Sequence, residues 1–524
     1  MITKLYTATT LGLEAQFIEV EIDLSPSLPM IVVVGLPDKA VQESKERIRS
    51  SLKQSGFEFP LGKVTINLAP ADIAKSGSAF DLPMAVGILR LTGYIENELP
   101  EKAIFIGELS LDGKLRPVAG ALTICLWAKK QGIKHVFIPM QNAEEGALVK
   151  DVNIYPVESL RVLADHLNNK NLIKPVEPLD LAEVVKKYNE VNRFAAVLID
   201  ESESGLLPND MAYVRGQEVA KRALEIAASG GHNVLFIGQP GSGKTLLARS
   251  YPTILPAMSE TEILEVTQIY SVTGLLKSGK IVLQRPFRAP HHSSSHISLV
   301  GGGSKLRPGE ISLAHRGVLF LDEFPEFDRD SIEALRQPLE DGFVNISRAS
   351  GSVSYPSRFY LLAAANPTPS GFDPDDMDAL NKPQNKGAIA RYQAKFSGPI
   401  LDRIDLQVEV NRPTRDELQT QKLGERSSAV SQRVQKARDI QTLRFANDSI
   451  QTNAEMNLPM IEKYCKLDLP TSKLLSQAID KFKLSARSYM RLLKLSRTIA
   501  DLEGKESIEI SHLAESLQYR GRWG

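Results

Sequence analysis

Asn233-Val-Leu-Phe-Ile-Gly238-Gln239-Pro240-Gly241-Ser242-Gly243-Lys244-Thr245 decides the fold of this chain. Apolar residues 234–237 run into a glycine-rich turn, and a helical pattern follows through Leu246, Leu247, Ala248 and Arg249. This is G-x-x-x-x-G-K-T in the context it requires, a strand before and a helix after. Gly238, Gly241 and Gly243 let the backbone curl until its N–H groups converge on phosphate oxygens. The helix that follows adds the positive end of its dipole. Lys244 supplies a charge for the β- and γ-phosphates and Thr245 a hydroxyl for Mg²⁺, so the implied ligands are ATP and Mg²⁺.

Working outward, Val318-Leu-Phe-Leu321-Asp322-Glu323 reads as a buried parallel strand ending in two carboxylates. An Asp-Glu pair after a strand is weak on its own and strong downstream of a phosphate loop. Asp322 is expected to hold Mg²⁺ through its waters, and Glu323 to orient and activate the attacking water. Between the two motifs, residues 271–316 carry seven basic side chains against one acid, Glu310. Lys277, Lys280, Arg285 and Arg288 lie in this insert, Gly301-Gly302-Gly303 suggests a mobile loop, and His291, His292 and His296 lack a carboxylate among them. After 332–339, a predicted helix, Val344 and Ile346 alternate with polar residues, and Val353 and Tyr355 alternate back. That is a hairpin with Arg348 near its tip. A phosphate-facing surface is expected from the insert and Arg348, against the plainer reading of a solvated basic face.

The composition sets outer limits. A chain of 524 residues implies two to four domains. The 63 basic and 63 acidic residues cancel, so nucleic-acid binding has to come from a local patch. Cys125 and Cys465 stand alone, which argues against a disulfide framework and against a cysteine-rich zinc site. Without an apolar run of 18 residues or a leader pattern, a cytoplasmic protein with no membrane span is expected.

The flanks read as follows. Residues 1–170 are mixed α/β, with strands at 31–34, 64–68, 103–109 and 136–138 and helices at 39–54, 82–91 and 121–131. Residues 171–210, broken by Pro175, Pro178 and Pro208, read as a linker with one helix at 181–191; Asp200-Glu-Ser202-Glu-Ser204 within it is a chance match to a metal motif. Ser259 and Glu262 form a capping-box signature. Residues 412–524 are helical, with segments at 429–444, 472–482, 484–502 and 512–518.

The stretch from Gly35 to Leu89, "GLPDKAVQESKERIRSSLKQSGFEFPLGKVTINLAPADIAKSGSAFDLPMAVGIL", resembles the amino-terminal domain of the ComM/YifB proteins, magnesium-chelatase-like ATPases. That domain is related to the proteolytic domain of Lon, a ribosomal protein S5 domain 2-like fold. The Lon serine aligns with Ala79 and its lysine with Leu122, so no protease activity is implied. The remaining motifs fall in the order of the same family, and the resemblance spans nearly the whole chain. It implies an AAA+ core at 211–411, a helical lid at 412–524 and a Lon-like domain at 1–170. It also implies adenine contact near Gln217, a γ-phosphate sensor at Asn366, an arginine finger at Arg403 and a second sensor at Arg487. Family members commonly read N-P-C-P-C-G after the sensor; this chain reads "NPTPSGF", and the polar loop at 367–395 is expected to be disordered. A homo-hexamer acting on single-stranded or branched DNA, a branch-migration helicase in the integration of incoming DNA, is the function implied. A chelatase-type motor that remodels a partner protein, and a scaffold whose nucleotide only holds the ring, are the alternatives.

Overall fold

The computed structural model describes residues 2–73, 75, 77–188, 209–276, 280–303, 306–348, 351–368, 392, 398–419, 423–448 and 450–520. Most of the predicted 367–395 loop, Lys277, Ser76, residues 200–204 and the end of the predicted 181–191 helix lie outside them.

Seven strands make the first sheet: β1 (Ile2–Leu11), β2 (Glu14–Ser25), β3 (Met30–Val34), β4 (Lys63–Ala69), β5 (Ile104–Phe105), β6 (His135–Pro139) and β7 (Asn153–Val157). Their order is β3-β4-β2-β1-β5-β6-β7. β1 and β2 pair antiparallel from Ile2↔Asp23 to Leu11↔Glu14, around a two-residue turn at Gly12-Leu13. In β2, Ile18, Val20 and Ile22 are fully buried while the residues between them face outward, the period of a half-covered strand. Helices α1 (Lys39–Gln54), α2 (Asp81–Leu91) and α3 (Ala121–Lys130) pack on this sheet. The predicted strand at 103–109 is instead two short pieces. Gly107 bends the chain between them and donates its N–H to Ala79 O at 3.0 Å.

The second sheet is parallel throughout and holds β8 (Val234–Ile237), β9 (Phe287–Arg288), β10 (Val318–Leu321), β13 (Tyr360–Ala365) and β14 (Leu406–Glu409). Its order is β9-β10-β13-β8-β14. Every residue of β8, β10 and β13 is buried, because helices cover both faces. Between β10 and β13 the chain makes a separate hairpin, β11 (Phe343–Arg348) with β12 (Gly351–Pro356). The helices here are α4 (Glu218–Gly230), α5 (Lys244–Ser250), α6 (Glu260–Thr273) and α7 (Arg336–Asp341). α6 opens on the expected capping box, Ser259 with Glu262. The single helix predicted at 332–339 is two, Arg329–Glu333 and α7. Pro338 has no N–H to give to a continuing helix, and it is tolerated only near the start of a new one.

Two of the three glycines expected to form a mobile loop are paired. Gly301 and Gly302 make a short antiparallel ladder with Pro308 and Arg307. A Cβ at Gly301 would lie 2.5 Å from Arg307 O, so close backbone contact, not mobility, is the use of glycine there. The carboxy-terminal helices α8 (Ser427–Arg444), α9 (Leu469–Phe482), α10 (Ala486–Leu502) and α11 (Ile510–Gln518) close the chain. α8 and α10 pack on α4, and the buried Asp501 accepts from both Arg444 and Arg497. Among the described residues no helix is long and apolar enough to cross a membrane.

Candidate functional site

The carboxyl ends of the parallel strands bring one set of predicted residues together. β8 delivers Gly238, whose N–H donates to Ala365 O at 3.1 Å, so loop and β13 end side by side. A Cβ at Gly238 would lie 2.2 Å from Val410 O. Gly241 and Gly243 have φ of 79° and 96°, the left-handed region, with nothing near where a side chain would project. The 238–243 segment therefore makes an open cradle of backbone at the start of α5, the donor set a phosphate needs. Ser242 Oγ is buried in it without a hydrogen-bond partner among the described residues. Gln239 and Pro240 form the turn of this cradle.

Lys244 Nζ donates to Gly238 O at 2.6 Å, to Gln239 O at 3.0 Å and to Asn366 Oδ1 at 3.3 Å. Burial pushes this ammonium below the usual lysine range, while Asp322 and Glu323 hold it up. Thr245 Oγ1 donates to Asp322 Oδ2 at 2.9 Å, placing the hydroxyl and carboxylate where one octahedral cation could lie between them and phosphate. These residues fit Mg²⁺ and a nucleoside triphosphate. Gln217 reaches the loop as well, but its side-chain amide donates to Asn411 O at 2.5 Å and Ser242 O at 3.4 Å.

Glu323 has a partner that the sequence did not reveal. His292 Nδ1 lies 2.9 Å from Glu323 Oε2, and the His291 ring lies against His292, tilted by 34°, at 4.1 Å between ring centroids. The pair of histidines thus sits at the carboxylate, and among the described residues no cluster of metal-ligating side chains forms.

Arg403 and Arg487 are elsewhere. Both donate to the same oxygen of Glu340, on α7. They line a cleft of about 650 Å³ with Gly231, Asn233, Phe359 and Tyr360, residues at the amino ends of the strands. Asn233 fixes this region: its side chain donates to Arg403 O at 3.0 Å and accepts from Leu361 N at 3.0 Å, and its own N–H donates to Asp405 at 3.1 Å. Asn366 follows the opposite end of β13. The chain therefore places Asn366 with Lys244, and Arg487 with Arg403 rather than with Lys244.

Two of the expected DNA contacts are paired within the chain. Arg285 is buried, paired with Glu262 at 2.9 Å, and donates to Pro256 O, Ala257 O and Arg316 O. Arg288 forms a two-point pair with Glu310 at 2.6 and 2.7 Å. Arg285 ties the insert to the preceding segment, whereas Arg288 and Glu310 pair within the insert itself. Lys280 and Arg348 are exposed, and Lys277 lies outside the described residues. Arg307, also exposed, pairs across from Gly302, and Arg348 Nη2 lies 3.8 Å from where a Cβ on Gly302 would be. Arg307 thus joins Arg348 at one tip, a neighbour that charge counting alone could not single out. Before α2, Ser78 donates to Glu108, and on α3 Leu122 is fully buried.

Family models described as "Magnesium chelatase, subunit ChlI", "Subunit ChlI of Mg-chelatase" and "Magnesium chelatase, subunit ChlI C-terminal" match residues 210–418, 20–142 and 424–520. Competence protein ComM of Haemophilus influenzae is 42% identical over 98% of this chain and 96% of its own. YifB of Escherichia coli is 39% identical over the same shares. Rv2897c of Mycobacterium tuberculosis is 38% identical over 99% of this chain and 98% of its own.

Proposed function

From the premise that this chain belongs to the ComM/YifB family of magnesium-chelatase-like ATPases, we propose that it is a ring-forming AAA+ ATPase that uses ATP hydrolysis to move on DNA. Branch migration during integration of incoming DNA is the reading, with a Lon-like domain before the ATPase core and a helical lid after it. The observation that carries it is the separation of the arginines from the phosphate loop. Asn233, which holds Arg403, and Gly238, which opens the loop, stand at opposite ends of β8. At about 3.3 Å per residue, five residues of strand separate them by roughly 16 Å, more than an arginine side chain spans. Arg403 and Arg487 then serve a phosphate only if a neighbouring subunit brings its own to them. A closed ring is the arrangement that gives every subunit such a neighbour.

In each site the cradle and Lys244 bind and orient the triphosphate, and Asn366 is held by Lys244 at its γ end. Mg²⁺, when bound, neutralises charge on the β- and γ-phosphates, and Thr245 with Asp322 would hold it. Glu323 accepts the proton of the attacking water, and the neighbour's Arg403 and Arg487 stabilise the charge that moves onto the leaving oxygens. His292 orients Glu323. His292→Ala is expected to lower kcat by roughly tenfold, the low end for a hydrogen bond to a charged group because Glu323 is half-exposed, with the KM for ATP unchanged. An unaltered kcat removes His292 from this role.

The DNA side is assigned to the tip where Arg348 and Arg307 meet. Contacts there are sequence-independent and salt-sensitive. Replacing both by Ala is expected to flatten the slope of log K against log salt by roughly 0.7–0.9 per residue, with basal ATPase retained. An unchanged slope sinks this assignment. The match to magnesium chelatase subunits favours a second reading, a motor that remodels a partner protein. That reading expects no DNA binding even at low salt.

A further inference from the structure

The tip of the first hairpin of the chain touches the ATPase hairpin directly. Gly12, with φ of 63°, faces Val353 so closely that an added Cβ would lie 2.1 Å from Val353 Cγ1 and 3.3 Å from its Cβ. Leu11 and Leu13, on either side, pack against the cluster that includes Val344, Ile346, Val353 and Tyr355. These four are the buried, inward side chains of β11 and β12, while Asn345, Ser347, Arg348, Ser352 and Ser354 face outward.

The β1–β2 turn is itself anchored to the ATPase core. Gln268 Nε2, on α6, donates to Leu13 O at 3.0 Å. One turn further along α6, Ser271 Oγ donates to the buried Glu145 carboxylate at 2.5 Å, and Ser271 O accepts from Gly120 N at 2.9 Å. Leu122 N donates to the same Glu145 oxygen and Asn142 Nδ2 to the other. The amino-terminal part of the chain, its first sheet with the helices on it, therefore grips α6 at two points and the ATPase hairpin at a third. Among the described residues the hairpin has no ladder to the parallel sheet, so side-chain packing of this kind sets where it stands.

We propose that Leu11-Gly12-Leu13 is the seat of the ATPase hairpin, which makes the amino-terminal sheet a positioning element for the tip that carries Arg348. A displacement of the hairpin during turnover has to slide over, or carry with it, this seat. The coupling to DNA rests on the reading above; the seat itself does not.

The test uses the full chain and two readouts: amide hydrogen exchange of 343–356, and the ratio of DNA-stimulated to basal ATPase. Gly12→Ala is expected to raise exchange in the hairpin severalfold and to lower the ratio, with basal ATPase retained. Adding Val353→Ala removes the colliding methyl and is expected to bring both readouts back toward the unmodified protein, a reversal that general destabilisation would not give. Gln268→Ala releases the turn without backbone strain and is expected to act in the same direction if Gly12→Ala protein does not fold. Unchanged hairpin exchange in Gln268→Ala, or additive damage in the Gly12→Ala/Val353→Ala pair, overturns the seat. If exchange responds as expected but the unmodified protein shows no DNA stimulation, the seat stands and the DNA reading falls.

Discussion

Arg403→Ala protein is expected to bind ATP as the unmodified chain does and to hydrolyse it ~10³-fold or more slowly, the usual loss when a trans arginine is removed. Binding survives because the arginine belongs to the amino end of the parallel sheet, where Asn233 holds its backbone, and the cradle belongs to the carboxyl end. Mixing supplies the sharper comparison. Lys244→Ala subunits lack a working pocket but keep Arg403, and Arg403→Ala subunits have the reverse defect. Mixed rings are expected to regain part of the turnover, because each functional pocket then meets an intact arginine. Mixed rings that form and stay inactive would mean that Arg403 acts within its own subunit or not at all. Arg487 shares the Glu340 carboxylate with Arg403, so Arg487→Ala is expected to behave the same way in the mixture.

The second large effect is expected at Glu323. Glu323→Gln keeps the size and the N–H···Asp322 contact of the backbone, at 2.9 Å, but its amide cannot accept a proton. ATP affinity is expected to hold while turnover falls by about 10²–10⁴, the range for loss of a positioned general base. An ordinary hydrolysis rate in this variant would remove Glu323 from the chemistry. It would also leave His292 without a role at the site.

The phosphate loop, the Asp322-Glu323 strand and the hairpin were legible in the sequence because each is set by a few adjacent residues: glycines at a turn, a doubly buried strand, alternating side chains. The long β1–β2 pair carries the same kind of signal, in the alternation of Ile18, Val20 and Ile22. What the sequence withheld was pairing. Arg285 and Arg288 add to a basic count, yet their charges are met by Glu262, on the preceding helix, and Glu310, beyond the glycines. Glu262 lies outside the 271–316 window over which the charges were counted, and Glu310 lies inside it, where a count gives no pairing. His292 and Glu323 are remote in sequence, and so are Glu340 and Arg487, joined only when the carboxy-terminal helices fold back on the core. The resemblance that placed a second sensor at Arg487 fixed its position in the chain and left open whose phosphate it faces.

The central claim is that ATP hydrolysis by this chain is coupled to DNA. The rate of hydrolysis, measured without DNA and then with single strands, with duplex and with a four-way junction, tests it most directly. The account predicts a rate that rises with DNA and is highest on the junction, with the rise lost as salt screens the contacts at Arg307 and Arg348. One rate across all four conditions, at low salt, would contradict it and leave the partner-remodelling motor in its place.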